Sequence, residues 1–302
     1  MNIFLTGATG FLGSYLLRKL LEMDHNVIIL KRTTSNTWRI DSLLSQVKSY
    51  DIDKVNIEKP FEDNKIDIVI HTATNYGRNA NKIYDVVETN LMFSLKLLET
   101  ATFFNTDTFF NTDTFFNTDT LLYEYLNHYT LSKKQFVEWL VFFSEKIKIV
   151  NLKLEHIYGP KDDENKFVTW LVRQLIKNVD TIDLTEGNQK RDFIYIDDVV
   201  NAYILLIEKS KNLNNFSEFD VGTGNQIKIK DFVLKVYETI KQKQPIRTKL
   251  NFGAKPYRKN EFMEIKENIK PLLDLGWRPI VSLDEGIDRL VEEELKCQQK
   301  SN

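Results

Sequence analysis

Met1-Asn2-Ile3-Phe4-Leu5-Thr6-Gly7-Ala8-Thr9-Gly10-Phe11-Leu12-Gly13 opens the chain and decides its fold class. The apolar run 1–5 predicts a short strand, and it leads straight into three glycines spaced by three. Residues 14–21 follow with helical periodicity, so the order is strand, glycine turn, helix. Gly7 permits a tight turn, Gly10 lets backbone approach a pyrophosphate, and Gly13 allows the helix to pack closely on the strand. The helix N-terminus adds unpaired N–H groups facing the same anion. The spacing is GxxGxxG, a variant of the GxGxxG dinucleotide fingerprint.

Working outward, strand and helix alternate as in a parallel sheet covered on both faces. Residues 27–30 read as a second strand, 66–71 as a later one, 86–101 as a helix and 149–154 as a further strand. The expected fold is α/β, a Rossmann-type doubly wound parallel sheet with a smaller C-terminal α/β lobe. The dinucleotide-binding domain is expected over 1–157 with returning segments at 190–224, and the substrate lobe over 158–189 and 225–302. Ligands of such a sheet sit at the carboxyl ends of its strands. This directs attention to Thr6-Gly7, Lys31-Arg32, His71-Thr72-Ala73-Thr74 and the segment near Thr118.

Composition bounds the function. A chain of 302 residues with formal charge −2 buries a substantial core and lacks the basic footprint of a nucleic-acid binder. No apolar run is long enough to span a bilayer. The expectations are a cytoplasmic protein with no leader ahead of the first strand, no membrane partner and no nucleic-acid partner. The single Cys297 forms no internal disulfide, and His25, His71, His128 and His156 lack ligand spacing, so no metal is expected.

After the second strand, an acidic side chain would bind the ribose hydroxyls of NAD, whereas a cation accommodates the 2′-phosphate of NADP. The chain supplies Lys31-Arg32-Thr33-Thr34-Ser35. Arg32 offers a planar fork, Lys31 a point charge, and Thr34 or Ser35 a hydroxyl. NADP(H) is the expected cofactor, with NAD(H) the alternative.

A Tyr followed four residues later by a Lys occurs at Tyr15/Lys19, Tyr50/Lys54, Tyr129/Lys133 and Tyr237/Lys241. Spacing alone does not choose among them. The hexapeptide Phe-Phe-Asn-Thr-Asp-Thr occurs three times without change, at 103–108, 109–114 and 115–120. Three copies are too short for a repeat architecture. One is expected to form a sheet strand and another to replace a loop, with the third surplus.

Taken with the opening segment, Ile70-His71-Thr72-Ala73, Asn90, Tyr129-Thr130-Leu131-Ser132-Lys133, Tyr158-Gly159-Pro160 and Arg191-Asp192-Phe193-Ile194-Tyr195-Ile196-Asp197-Asp198-Val199 carry a resemblance. The chain resembles the extended short-chain dehydrogenase/reductase superfamily of NAD-dependent epimerases and dehydratases over nearly its whole length. Asn117-Thr118-Asp119-Thr120-Leu121, followed by 127–136, looks like the CDP-abequose synthase group of nucleotide-4-keto-6-deoxysugar reductases.

The resemblance implies that Tyr129 is the acid/base and that Lys133 lowers its pKa while holding the nicotinamide ribose. Thr118 is implied as the hydroxyl on the substrate carbonyl, with Thr112 its rival and Thr106 the remaining copy. A helical spacing of four puts ammonium and phenol on one face, which is expected to bring the phenol down from about 10. Cofactor contacts are implied at Gly7, Thr9, Gly10, Phe11, Leu12, Gly13, Lys31, Arg32, Ser35, Asp51, Ile52, Thr72, Ala73, Asn90 and His156. Substrate contacts are implied at Thr74, Thr118, Arg191, Tyr195 and Arg258, the two arginines suiting a diphosphate.

The implied activity is NADPH-dependent reduction of a nucleotide-linked 4-keto-6-deoxy or 3,6-dideoxy sugar in deoxysugar and surface-polysaccharide biosynthesis, by a homodimer joined through the helices near 86–100 and 129–145. A 4-epimerase with retained NAD is the first alternative, and a non-catalytic NADP sensor of the same fold the second. A 4,6-dehydratase resembles Thr-Asp-Glu at the strand end, where this chain has Thr120 in place of the base.

Overall fold

The computed structural model describes residues 1–78, 82–105 and 112–301, which divide into two compact units: 1–154 with 200–220, and 155–199 with 221–302. In chain order the first unit contains β1 (Asn2–Thr6), α1 (Phe11–Glu22), β2 (Asn26–Lys31), β3 (Lys48–Asp51), α2 (Lys59–Asp63) and β4 (Ile68–His71). It continues with α3 (Ile83–Val87), a π-helical turn at Glu88–Phe93, α4 (Ser94–Asn105), β5 (Thr114–Thr120), α5 (His128–Phe143) and β6 (Lys148–Leu154). The second unit begins with β7 (His156–Tyr158), α6 (Phe167–Ile176), β8 (Thr181–Asp183) and β9 (Lys190–Tyr195). The chain passes through α7 (Ile196–Lys209) and β10 (Phe216–Val221) and returns with β11 (Gln226–Lys228), α8 (Ile229–Lys243), β12 (Lys249–Asn251), α9 (Lys270–Asp274) and α10 (Leu283–Ser301).

The strand order of the large sheet is β3-β2-β1-β4-β5-β6-β10. Every pairing from β3 to β6 is parallel, so this is the expected Rossmann-type arrangement. The apolar runs form these strands because parallel sheets bury both faces: Ile3, Phe4, Leu5, Val69, Ile70, Phe115, Phe116, Ile149 and Val150 are all fully buried. On one face, Phe4 meets Phe61 edge-on at 5.2 Å, and Phe61 stacks on Phe104 at 5.5 Å. The strand order reverses between β1 and β4, where such folds bind their ligands.

The third hexapeptide forms β5, together with Thr114 from the second copy. Phe103, Phe104 and Asn105 of the first copy end α4, while 106–111, including Thr106, lie outside the described residues. Thr112 is buried at the opposite end of β5 from Thr118, donating to the Ile66 carbonyl at 3.0 Å, which removes it as a candidate at the ligand edge.

Residues 190–199, expected in the nucleotide-binding unit, belong instead to the second. There β9 pairs with β7 in parallel and with β11 antiparallel. Asp198 is fully buried and accepts from the backbone N–H groups of Ile280 and Val281, both at 3.0 Å, and its carbonyl takes the Trp277 indole N–H at 3.1 Å. The turn 275–279 is thereby structural. No helix among the described residues is long and apolar enough to cross a membrane.

Candidate active site

The glycine turn closes on itself. Gly7 has φ +75°, and a Cβ there would lie 2.5 Å from Thr72 Oγ1 and 2.6 Å from the Ala73 nitrogen. At Gly13 a Cβ would lie 2.6 Å from the Gly7 carbonyl carbon. Helix α1 therefore packs against the turn as the spacing predicts. Gly10 is its N-cap, with no side-chain capping bond and no acidic residue in the first turn, so the terminal N–H groups and helix dipole are suited to an anion. Thr9 also presents its carbonyl to Arg39 at 3.4 Å. Thirty residues of separation hid this cation from the sequence reading.

At the end of β2 the expected phosphate clamp is only partly available. Lys31 is ion-paired with Asp51, which also lies 3.4 Å from Lys54. The hydrogen bond from Lys31 holds the Asp51 carboxyl below its ordinary range. The Lys31 charge is thus compensated, and the free point charge expected there is corrected. Arg32 is exposed and keeps its fork, while its backbone N–H donates to Ser35 Oγ at 3.0 Å. Ile52 N–H donates to the Lys31 carbonyl at 2.9 Å and tightens this edge.

Beyond β4 a buried polar network ties the loops down. His71 is fully buried between Thr6 Oγ1 at 2.7 Å and Ser94 Oγ at 2.8 Å. Burial, then the Lys133 charge, hold its pKa well below the ordinary value, so it stays neutral. The Thr72 hydroxyl donates to the Thr6 carbonyl at 2.8 Å, and Ala73 N–H lies 3.5 Å from Thr6 Oγ1. Asn90, buried in the π-helical turn, accepts from Asn75 N–H at 2.7 Å and the Thr74 hydroxyl at 3.2 Å. It donates to the Asn75 carbonyl at 2.9 Å and to Ser132 Oγ at 3.0 Å. Through Asn90 the loop after β4 is fixed to α5 one residue before Lys133.

Helix α5 starts where it does because Asn127 and Thr130 cap it reciprocally, at 3.0 and 3.1 Å. Tyr129 falls in the first turn, half-buried, its ring 5.0 Å from that of Tyr76. Lys133 is 2% exposed, and burial lowers its pKa to about 8 despite the opposing pull of Asp119. Among the described residues no hydrogen bond or ion pair of its ammonium is found, which leaves three N–H donors suited to a ribose hydroxyl.

The phenol departs from expectation. Burial, followed by Tyr76 and Asp119, pushes Tyr129 well above 10. Lys133 is not what lowers it here, because desolvation outweighs a shared helix face. The Thr118 hydroxyl lies 2.6 Å from that of Tyr203. Asp119, the next residue, is 2% exposed and paired with Lys134 at 2.7 Å.

In the second unit, His156 pairs with the buried Glu155 at 3.0 Å and packs edge-on against Phe193. The Arg191 fork, expected to grip a diphosphate, is engaged: it donates to the Lys190 carbonyl at 2.6 Å, the Phe262 carbonyl at 2.8 Å and the Glu261 carboxylate. The residue anchors the 261–262 segment. Arg258 is exposed, and its charge, after the larger effect of burial, helps to depress the Arg191 pKa. Tyr195 is buried beneath Arg289, whose guanidinium lies 5.5 Å from its ring centre; burial pushes its phenol up to about 12.

A 3-2-1-4-5-6 sheet, a self-closing glycine turn at its switch point and a Tyr–Lys helix beside β5 define an extended short-chain dehydrogenase/reductase. Residues 3–222 match the model of the NAD dependent epimerase/dehydratase family, and the chain belongs to that family. It is 35% identical to CDP-abequose synthase of Salmonella muenchen over 96% of this chain and 97% of that relative. It is 25% identical to dTDP-D-glucose 4,6-dehydratase of Dictyostelium discoideum over 95% of this chain and 80% of the relative. Its fold superposes on UDP-glucose 4-epimerase from Thermotoga maritima with a TM-score of 0.83 at 24% identity, covering 99% of this chain and 100% of the other.

Proposed function

We propose that the protein is an NADPH-dependent reductase of a nucleotide-linked 4-keto-6-deoxy or 3,6-dideoxy sugar, acting in the cytoplasm in deoxysugar biosynthesis. The observation that carries this reading is the Lys133 side chain, 2% exposed and four residues beyond Tyr129, in a chain similar along its length to CDP-abequose synthase. Gly7, Gly10 and Gly13 with the α1 N-terminus would hold the pyrophosphate, Arg32 and Ser35 the adenosine 2′-phosphate, and Lys133 the nicotinamide ribose. When bound, the dihydronicotinamide supplies hydride to the C4 carbonyl carbon. Tyr129 donates its phenolic proton to the carbonyl oxygen as negative charge develops there. Asn90 keeps the loop after β4 and helix α5 in fixed relation, so the proton starts from one place.

The test is incubation with CDP-, dTDP- and GDP-linked 4-keto-6-deoxysugars while NADPH absorbance is followed. Stoichiometric consumption supports reduction. Conversion between 4-epimers without net consumption replaces this reading with the epimerase, and tight NADPH binding without turnover replaces it with a sensor.

If Arg32 reads the 2′-phosphate, Arg32→Ala raises KM for NADPH by about 10- to 100-fold, the scale of a lost charge-assisted contact, and leaves KM for NADH nearly unchanged. Steady-state kinetics with both cofactors check this. Equal losses on both would assign Arg32 another task.

Assembly as a homodimer through α4 and α5 is part of the same reading. Trp139 is 42% and Phe142 64% exposed on α5, and Met92 is 41% exposed on the preceding helical run. The Trp139 and Phe142 rings lie 6.2 Å apart, and exposed apolar patches of this kind mark contact surfaces. The double variant Trp139→Glu/Phe142→Glu is expected to sediment at half the wild-type mass with an unchanged circular dichroism spectrum.

A further inference from the structure

Tyr129 is the second residue of α5, so no earlier turn of that helix lies beneath its ring. Helical side chains lean back toward the N-terminus and pack on the turn before their own, and a first-turn ring therefore needs support from outside the helix. Tyr76, in the loop after β4, supplies it: the two ring centres lie 5.0 Å apart with their planes 42° from parallel. Among the described residues this is the ring contact that Tyr129 makes.

Tyr76 is itself held from both neighbours in the chain. One buried side chain grips the backbone of Asn75: Asn90 accepts from Asn75 N–H at 2.7 Å and donates to the Asn75 carbonyl at 2.9 Å. The Asn75 side chain in turn accepts from Gly77 N–H at 2.9 Å and reaches the Asp85 carbonyl at 3.4 Å. Gly77 has φ +65°, a conformation that suits glycine, and beyond it the Arg78 guanidinium lies 5.4 Å from the Tyr76 ring centre. Arg78, Tyr76 and Tyr129 thus form a contiguous series of planar groups. Because Asn90 also donates to Ser132 Oγ at 3.0 Å, the loop meets α5 at two points, one polar and buried, the other aromatic with Tyr76 38% exposed.

We propose that Tyr76, clamped through Asn75 and backed by Arg78, is a positioning residue that fixes the ring of Tyr129 for proton transfer. This rests on the reading of Tyr129 as the proton donor. The polar tie sets the Tyr129 backbone, since Ser132 Oγ donates to the Tyr129 carbonyl at 2.8 Å, but it leaves the side-chain torsions open. The Tyr76 ring closes off that freedom. The hydroxyl then stands in place before substrate arrives, and its ordering is met in folding and not at each turnover. This task uses the ring of Tyr76 and not its hydroxyl, which separates it from a second proton donor.

The test uses the full chain with NADPH and the CDP-, dTDP- or GDP-linked 4-keto-6-deoxysugar that it reduces. Tyr76→Ala, Tyr76→Phe and the double variant Tyr76→Ala/Tyr129→Phe are compared with the parent and with Tyr129→Phe. A small misplacement of a reacting group costs up to about 100-fold, so Tyr76→Ala is expected to lower the single-turnover rate by about 10- to 100-fold while KM for the sugar and Kd for NADPH stay within about twofold. Tyr76→Phe keeps the ring and is expected to restore the rate. In the Tyr129→Phe background the phenolic proton is gone, and adding Tyr76→Ala is expected to change the residual rate by less than about twofold, as for two residues acting through one atom. An unchanged rate in Tyr76→Ala, a loss that Tyr76→Phe fails to restore, or equal losses in both backgrounds, as a collapsed loop would give, overturns the proposal. So does a rise in KM alone, which would make Tyr76 a substrate contact. Full turnover by Tyr129→Phe would instead overturn the assigned role of Tyr129, and this proposal with it.

Discussion

Tyr129→Phe is expected to reduce NADPH-linked turnover by about 10²- to 10⁴-fold, the usual contribution of a positioned proton donor. The effect should fall on kcat. Phenylalanine keeps the ring that packs 5.0 Å from Tyr76 and keeps the Asn127–Thr130 cap, so neither helix start nor loop is disturbed. What disappears is one hydroxyl, so NADPH binding should be kept while turnover falls. Single-turnover kinetics together with NADPH fluorescence titration separate the two quantities. A variant within tenfold of the parent would remove Tyr129 from the chemistry.

Gly13→Ala is the second change with a large expected effect. The added Cβ would sit 2.6 Å from the Gly7 carbonyl carbon and 3.0 Å from Ala8 Cα, and both atoms are backbone. No rotamer relieves such a clash, so either α1 lifts from the turn or the turn opens. Overpacking of this kind costs about 1–3 kcal/mol, a fall in Tm of about 5 °C. NADPH affinity should fall by more than 100-fold, because the N–H groups proposed to hold the pyrophosphate would lose their common direction; each tenfold is about 1.4 kcal/mol. Thermal melts and fluorescence titration measure the two effects. At Gly10 the nearest atom to an added Cβ is the Gly7 carbonyl oxygen at 3.2 Å, so Gly10→Ala serves as the milder control.

Much of the first unit was legible because its signals are local. An apolar run ending in glycine, the helical periodicity that follows it and a four-residue Tyr–Lys interval can be read within a dozen residues. Strand β3 escaped because Lys48, Ser49, Tyr50 and Asp51 bury only one side chain, Tyr50, as an edge strand does. The π-helical turn around Asn90 has no periodicity of its own. The site residues that behave differently from expectation do so through partners far away in the chain: Lys31 through Asp51, Arg191 through Glu261, Thr118 through Tyr203. Charge patterning along a helix cannot register desolvation either, which is why the Tyr129 phenol moves up and not down.

The hexapeptide triplication gives β5 a translational symmetry that ordinary strands lack. Sliding a strand by one residue turns its inward side chains outward, but sliding it by six preserves parity and replaces each residue with its twin. Phe109 and Phe110 are as apolar as Phe115 and Phe116, so hydrophobic patterning cannot tell the two alignments apart. The tie must be broken outside the repeat, by Leu121 and Leu122 beyond its last copy and by the fixed count of residues from Thr120 to the α5 cap at Asn127. The alignment of this strand is therefore dictated from its downstream end.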